Sequence, residues 1–158
     1  MRETLFNWLG QDLNGMACLD LFAGSGALGF EALSRGAGSV VMVEKNPAAL
    51  RMLRENARKL GAQNLTIVHG DALEFARGTH SRFDVVFLDP PYRLGLQAAA
   101  LALLPGHLAE GGRVYLETDV AIDREAGWVI LKHGRAGNVH FHLLEREPHD
   151  QGGVPGNV

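Results

Sequence analysis

Four acidic side chains occupy matching places in the first ninety residues, each directly after a short apolar run that predicts a strand. They are Asp20, Glu44, Asp71 and Asp89. If these runs are parallel strands, their carboxyl ends meet at one edge of a sheet, and the four acids face one crevice there. A single acid at such a place is commonly a helix cap. Four in successive equivalent places favour a binding site for a positively charged ligand.

A glycine-rich loop follows the first of these acids. Gly24-x-Gly26-x-x-Gly29 matches the fingerprint of dinucleotide-binding loops, and Glu44 follows Gly24 at the distance where such folds place a ribose-binding acid. A nicotinamide enzyme or a noncatalytic nucleotide-binding module is therefore one interpretation. However, a pyrophosphate would bring negative charge towards the other three acids. S-adenosylmethionine carries a sulfonium and an ammonium against one carboxylate and has no phosphate, so the acids favour it.

Each part of that ligand has a candidate partner in the sequence. The first two glycines of the loop let the backbone approach the methionine portion, and Asp20 can face its ammonium group. Glu44 suits the ribose diol. Asp71 can accept a hydrogen bond from the adenine amine, while the backbone N–H of Ala72 or Leu73 donates to a ring nitrogen. The predicted cofactor-binding residues are Asp20, Phe22, Ala23, Gly24, Ser25, Gly26, Glu44, Asp71 and Ala72.

The segment Asp89-Pro90-Pro91-Tyr92 follows the fourth strand-like run. Its two prolines fix φ and remove two N–H donors, so the turn presents acceptors. The carboxylate of Asp89 and the carbonyl of Pro90 can hold both hydrogens of an exocyclic base amine and aim its lone pair at an electrophilic methyl group. Tyr92 offers a flat face on which an extruded base can stack. We therefore predict these four residues as catalytic. Arg93, which directly follows Tyr92, is a candidate contact to a phosphate of the substrate.

Hydrophobic periodicity and Gly or Pro punctuation predict the elements that position these residues. The predicted helices are Arg2–Leu9, a helix from Gly26 to Arg35, Pro47–Leu60, Ala72–Ala76 and Leu96–Leu104. The predicted parallel strands are Ala17–Phe22, Ser39–Val43, Leu65–Val68, Asp84–Leu88 and Arg113–Glu117, followed by a hairpin of Trp128–Lys132 and Val139–Leu144 around a turn at Gly134–Asn138. Within the third helix, a buried stripe is expected at Leu50, Leu53, Ala57 and Leu60.

Five βα units closed by a hairpin predict an α/β fold, namely a three-layer αβα sandwich. Its sheet is doubly wound, seven-stranded and mostly parallel, with a C-terminal antiparallel hairpin. We expect one domain over residues 1–147 and a flexible C-terminal tail over residues 148–158, which are rich in Gly and Pro.

The composition agrees with one globular domain. The chain has 158 residues and a formal net charge of −3, which becomes +1 without the four acids named above. Its acidity therefore belongs to the predicted pocket and does not exclude a nucleic-acid substrate. The single cysteine, Cys18, cannot form an internal disulfide, and no apolar run reaches the length of a membrane helix. We expect a cytoplasmic protein with no membrane partner.

Three segments together carry a resemblance to a known family. They are the opening helix with the sequence RETLFNWL, the segment LDLFAGSGALG that begins at Leu19, and FLDPPY, which ends at Tyr92. They resemble the bacterial RsmD family of class I S-adenosylmethionine-dependent methyltransferases, whose members methylate N2 of one guanine in 16S ribosomal RNA. The resemblance implies a Rossmann-like methyltransferase fold, S-adenosyl-L-methionine as cofactor with S-adenosyl-L-homocysteine as product, and no metal.

The resemblance also implies ribosomal RNA as the partner, within an assembly intermediate of the small subunit. We expect a monomer. Family members usually carry a stretch with basic residues before the opening helix, so we expect this chain to lack an N-terminal segment. DNA adenine-N6 methyltransferases share the Asp-Pro-Pro-Tyr motif, but a separate target-recognition domain would not fit within 158 residues. Protein glutamine methyltransferases resemble a pattern with Asn in place of Asp89.

Overall fold

A computed structural model of the chain describes residues 2–91 and 95–148. Five helices alternate with the strands of one sheet: α1 (Arg2–Leu9), α2 (Ala27–Ser34), α3 (Pro47–Leu60), α4 (Ala72–Gly78) and α5 (Leu96–Leu103), with a 3₁₀ turn at Pro105–His107. The strands are β1 (Ala17–Asp20), β2 (Ser39–Glu44), β3 (Leu65–His69), β4 (Phe83–Leu88), β5 (Leu108–Thr118), β6 (Trp128–Ala136) and β7 (Val139–Arg146).

The seven strands follow the order β3-β2-β1-β4-β5-β7-β6. The first five are parallel, while β7 pairs antiparallel with both β5 and β6. From β1 the chain moves outward to β2 and β3 and then returns to the other side of β1 as β4. The crevice where the direction reverses lies beyond the carboxyl ends of β1 and β4. The predicted doubly wound sheet with a terminal hairpin is confirmed.

Alternation along the strands sends neighbouring residues into two separate cores. Cys18 and the residues on its face pack against α1, α2 and α3, while Leu19 and its face pack against α4 and α5. Cys18 is buried, and burial raises the pKa of its thiol to about 12. The opening helix covers one sheet face, where Trp8 lies with its ring centroid 5.4 Å from that of Phe141. Both faces of the sheet are therefore covered, as a parallel sheet requires.

Helix α3 shows why local sequence signals located the elements well. The Asn46 side chain caps its first turn by accepting hydrogen bonds from the N–H groups of Ala48 and Ala49, and the helix ends at Gly61, whose φ is 60°. The expected buried stripe is only half correct. Leu50 and Leu53 are buried, but Leu60 is 66% exposed, because the whole last turn of the helix lies in solvent.

The strands of the hairpin are longer than predicted, because the glycine at position 134 was interpreted as the start of the turn. Strand β6 continues through Gly134 to Ala136, so the turn shrinks to two residues, Gly137 and Asn138. Gly134 pairs with Phe141, and a Cβ at Gly134 would lie 2.6 Å from Cε2 of that ring. This glycine makes room for an aromatic side chain on the neighbouring strand, and it was wrongly interpreted as a turn residue.

Two other strand boundaries also differ from the prediction. Strand β5 begins at Leu108, five residues before the predicted start at Arg113, because Leu108 already pairs with Phe83 of β4; the two glycines of β5 lie at an irregularity in the register between these two positions. Strand β1 ends at Asp20, two residues before the predicted Phe22. Leu21 nevertheless donates a hydrogen bond to the carbonyl of Phe87, so the chain still follows the neighbouring strand.

Of the predicted C-terminal tail, only Pro148 lies within the described residues, so the domain boundary stays a prediction. The described helices are all too short or too polar to cross a membrane. Trp128 is buried, and its indole N–H donates to the carbonyl of Leu101 at 3.2 Å.

A fully buried histidine joins the hairpin to the loop that follows β5. Nδ1 of His142 lies 3.3 Å from the carbonyl oxygen of Leu116, and its Nε2 lies 3.1 Å from the N–H of Ile122. Only a neutral ring can donate from Nδ1 and accept at Nε2. Burial lowers the pKa of His142, and the nearby His133 and His140 lower it further.

Because folding favours the neutral form of His142, its contribution to stability is present above its ordinary pKa and is lost as the pH falls below about 6.5. We expect His142→Gln to lower the free energy of unfolding by about 1 to 3 kcal/mol at pH 8, and the difference from the wild type to narrow at pH 5. Urea unfolding at both pH values measures this.

The control is His80→Gln, at an exposed position between α4 and β4. It should change the free energy of unfolding by less than about 0.5 kcal/mol at either pH. A constant difference between the wild type and His142→Gln across this range would contradict the neutral, doubly bonded ring.

Candidate functional site

A cavity of about 810 Å³ opens at the carboxyl edge of the sheet, where β1, β2 and β4 end and α4 begins. All four acids of the sequence pattern line it, together with most of the glycine-rich loop and both prolines that follow β4. The lining residues are Asp20, Leu21, Phe22, Ala23, Gly24, Ser25, Ala27, Leu28, Val43, Glu44, Lys45, Gly70, Asp71, Ala72, Leu73, Asp89, Pro90, Pro91 and Leu96. The topology therefore brings together residues up to 76 positions apart, from Asp20 to Leu96.

Asp20 is the most deeply buried of the four acids, with 2% of its surface exposed. Its Oδ2 accepts a hydrogen bond from the backbone N–H of Gly29, at 3.3 Å. Burial raises the pKa of this carboxyl to about 7, the Gly29 hydrogen bond opposes the rise, and the charges of Asp89 and Glu44 add to it. A positively charged ligand in the cavity would relieve this repulsion and restore the ionised form.

Glu44 ties the end of β2 to the glycine-rich loop. Its Oε1 accepts from the N–H of Gly24 at 2.8 Å, and its Oε2 accepts from the N–H of Asn46 at 2.9 Å. Two backbone donors fix the orientation of the carboxylate, and each oxygen keeps a second lone pair. The carboxylate can therefore accept hydroxyl hydrogens from a ligand without any rearrangement.

The two glycines predicted to bind the cofactor have different surroundings. Both have positive φ, 55° at Gly24 and 82° at Gly26. Gly24 lines the cavity, and a Cβ there would meet no atom within 4 Å. Gly26 does not line the cavity, because it faces the core, where a Cβ would lie 2.5 Å from Leu53 and 2.6 Å from Phe30.

Asp71 caps α4 and also faces the cavity. Its Oδ2 accepts from the N–H groups of Leu73 and Glu74, each at 3.0 Å, and its Oδ1 lies 3.9 Å from Nζ of Lys45. The sequence predicted either the N–H of Ala72 or that of Leu73 as the donor to an adenine ring nitrogen. The N–H of Leu73 is already used by Asp71, whereas no described residue accepts a hydrogen bond from the N–H of Ala72. The structure therefore favours Ala72.

The turn after β4 presents unused acceptors. Asp89 is half-buried, Pro90 is buried and Pro91 is exposed. Burial raises the pKa of Asp89 to about 6, with a further contribution from the charge of Glu117. Across residues 2–91 and 95–148, nothing donates a hydrogen bond to the Asp89 carboxylate or the Pro90 carbonyl. Tyr92 and Arg93, the remaining predicted site residues, lie outside the described residues.

Sequence reasoning missed the apolar walls of the cavity and Lys45. The apolar wall residues include Leu21, Val43 and Leu73. The sequence does not show which apolar residues of a segment face a cavity at the sheet edge and which face the core. Lys45 directly follows Glu44, and a basic residue next to a predicted site acid was a usable signal. Its amine is 76% exposed, so it only partly offsets the charge of Asp71.

The other three acids of the cavity have no cationic partner in the part of the chain that the structure describes, where no Lys, Arg or His forms an ion pair with Asp20, Glu44 or Asp89. The same residues contain no group of three or more His, Cys, Asp or Glu side chains arranged to hold a metal ion. The arrangement suits an organic cation that offers hydrogen-bond donors.

Comparisons with known proteins agree with this description. A family model described as conserved hypothetical protein 95 matches residues 1–145. Ribosomal RNA small subunit methyltransferase D of Escherichia coli K12 is 39% identical over 152 residues, which cover 93% of this chain and 77% of that protein. The protein of the same name from Haemophilus influenzae is 36% identical over 153 residues, which cover 92% of this chain and 79% of that protein.

A solved structure from Escherichia coli, provisionally described as a methyltransferase, superposes on this chain with a TM-score of 0.84 at 39% identity. The superposition covers 92% of this chain and 84% of that one. The predicted Rossmann-like methyltransferase fold is therefore confirmed.

The two glycines of the loop give a direct test of the different roles described above. We expect Gly26→Ala to lower the free energy of unfolding by about 2 to 4 kcal/mol, because strain at positive φ adds to overpacking against Leu53 and Phe30. Gly24→Ala should cost only about 1 to 2 kcal/mol, from backbone strain alone. Urea unfolding of both variants measures the difference, and equal losses would contradict the separate roles.

Proposed function

This chain belongs to the conserved hypothetical protein 95 family, that of ribosomal RNA small subunit methyltransferase D, and we propose that it methylates ribosomal RNA with S-adenosylmethionine as methyl donor. More narrowly, we propose N2 of a guanine in 16S ribosomal RNA as the target. The observation that carries this proposal is the cavity lined by four carboxylates, which have one weak cationic partner among the described residues, beside a turn whose acceptors receive no hydrogen bond from those residues.

The residues present fit S-adenosylmethionine. Asp20 would face its ammonium group, the Glu44 carboxylate would accept from the ribose hydroxyls, and Asp71 with the N–H of Ala72 would bind the adenine. Gly24 leaves room for the methionine portion, since its side of the loop is open to the cavity. When bound, the cofactor supplies a methyl group made electrophilic by a positively charged sulfur.

The turn after β4 would prepare the base amine for transfer. An exocyclic amine is a weak nucleophile, because its lone pair is delocalised into the ring. The Asp89 carboxylate and the Pro90 carbonyl would each accept one amine hydrogen, which fixes the nitrogen and stabilises the positive charge that develops on it. Asp89, with a pKa raised to about 6, is ionised at neutral pH and can take up the proton that the methylated nitrogen releases.

The alternative functions differ from the proposed one in the cofactor or the base that the site would bind. A dinucleotide would bring a pyrophosphate to a cavity lined by four acids, of which only Asp71 has a basic partner among the described residues. The family relationship also argues against a nicotinamide enzyme. A DNA adenine-N6 methyltransferase could use the same turn, and it is distinguished by the methylated product.

We also propose residues 1–147 as the catalytic domain. The small-subunit assembly intermediate, the monomeric state and the cytoplasmic location stay predictions.

The choice of cofactor can be tested by calorimetric titration. We expect S-adenosylhomocysteine, which keeps the ammonium, ribose and adenine, to bind saturably, and NAD to give no binding heat. Asp20→Asn should weaken S-adenosylhomocysteine binding by about tenfold or more, because a charged hydrogen bond is lost. Asp119→Asn, at an exposed acid after β5, is the matched control and should bind normally. Binding of NAD alone would overturn the proposed function.

The reaction can be tested by transfer of tritiated methyl groups to unmodified 16S RNA, free and within small-subunit particles, followed by nucleoside analysis. We expect label in N2-methylguanosine. Asp89→Ala should lower the transfer rate by about a thousandfold, because one preorganised acceptor is lost, while S-adenosylhomocysteine affinity stays within a few-fold. Asp119→Ala serves as the control. Undiminished transfer by Asp89→Ala would remove this residue from the mechanism, and label in adenine would favour the alternative target.

A further inference from the structure

Glu117 lies beside the turn that presents the acceptors. The parallel register of β4 and β5 pairs Leu88 with Leu116, so the next residues along the two strands are Asp89 and Glu117. Neighbouring strands lie about 4.8 Å apart, so both carboxylates belong to the same small region of the sheet edge. The charge of Glu117 acts on Asp89 across this gap. The sequence pattern of four acids did not include Glu117, which ends the predicted fifth strand.

The Glu117 carboxylate is held at one oxygen and free at the other. The hydroxyl of Tyr115, two residues earlier on the same face of β5, donates to Oε2 of Glu117 at 2.7 Å. Tyr115 is 1% exposed, so this bond fixes the orientation of the glutamate from the buried side. Oε1 receives no hydrogen bond from any residue within the described ranges.

Neither Asp89 nor Glu117 forms an ion pair with a Lys, Arg or His among residues 2–91 and 95–148. Two neighbouring acids at a half-buried edge repel each other, which disfavours the empty arrangement. A ligand with several adjacent N–H donors would relieve this repulsion by hydrogen bonding to both.

The base that our proposed function places here has such donors. Guanine carries an N1–H directly beside its N2 amine, whereas adenine carries an N1 lone pair directly beside its N6 amine. We infer that Glu117 is a specificity-determining residue, whose Oε1 accepts the N1–H of guanine while Asp89 and the Pro90 carbonyl hold the N2 amine. The same carboxylate would repel the N1 lone pair of adenine, so this pair of acids selects guanine. The inference rests on the proposed function and extends it to base choice.

The test compares guanine with 2,6-diaminopurine at the methylated position of a 16S RNA assembled by ligation, once nucleoside mapping has located that position. Diaminopurine keeps the amine at C2 but has a lone pair at N1. We expect the wild-type enzyme to prefer the guanine RNA by about tenfold or more in kcat/KM, because the diaminopurine leaves a carboxylate unpaired. Glu117→Gln can donate an N–H to that lone pair, so it should abolish or reverse the preference.

Glu110→Gln is the matched control, since it makes the same change on β5 at an exposed position far from the site. It should keep the wild-type preference. Binding of S-adenosylhomocysteine to each variant, within a few-fold of wild type, shows that the fold is intact. Preference is also measured as the ratio of affinities for the two RNAs, which gives an answer even for a variant with no detectable turnover.

The outcomes separate the two proposals. If the wild-type enzyme methylates the guanine RNA and Glu117→Gln keeps the same preference in both rate and affinity, Glu117 does not read the base and only this inference is overturned. If the wild-type enzyme methylates neither RNA at the amine, the proposed function fails, and the role of Glu117 fails with it. Loss or reversal of the preference in Glu117→Gln alone supports the inference.

Discussion

The burial of Asp20 beside other carboxylates dominates the electrostatics of the site. The parallel sheet places strand ends side by side, so acids that follow successive strands converge whether or not their charges are compensated. Burial and the neighbouring charges raise the pKa of Asp20 to about 7. A cation that enters the cavity would relieve this repulsion, whereas a phosphate would increase it.

The backbone around this edge serves two purposes at once. Hydrogen bonds from the N–H groups of Gly24 and Gly29 hold Glu44 and Asp20, so the acids are preorganised before any ligand arrives. The prolines after β4 do the opposite, since they remove donors, and no residue within the described ranges donates to the Asp89 carboxylate or the Pro90 carbonyl. In the proposed function, internal hydrogen bonds would hold the acids that bind the cofactor, whereas the acceptors for the substrate would be open.

Several sequence signals were correct because their physical cause is local. Asn46 and Pro47 start a helix and Gly61 ends it, whatever the rest of the chain does. Gly134 shows the limit of this reasoning. A glycine in a strand and a glycine in a turn look the same in sequence, and only the ring of Phe141 on the adjacent strand explains why a side chain is excluded there. The predicted burial of Leu60 was wrong for a related reason, because hydrophobic periodicity does not show which turns of a helix lie in solvent.

The sequence by itself determined the order of strands and helices, the convergence of the four acids and the acceptor-rich turn, because periodicity, caps and the loss of proline N–H groups are properties of short segments. The tertiary structure decided which residues face the cavity. It separated Gly24, which lines the cavity, from Gly26, which packs against the core, and it left the N–H of Ala72 free while Asp71 uses that of Leu73. It also brought Glu117 beside Asp89, since the register between two strands depends on packing across the sheet and is not written in either strand alone.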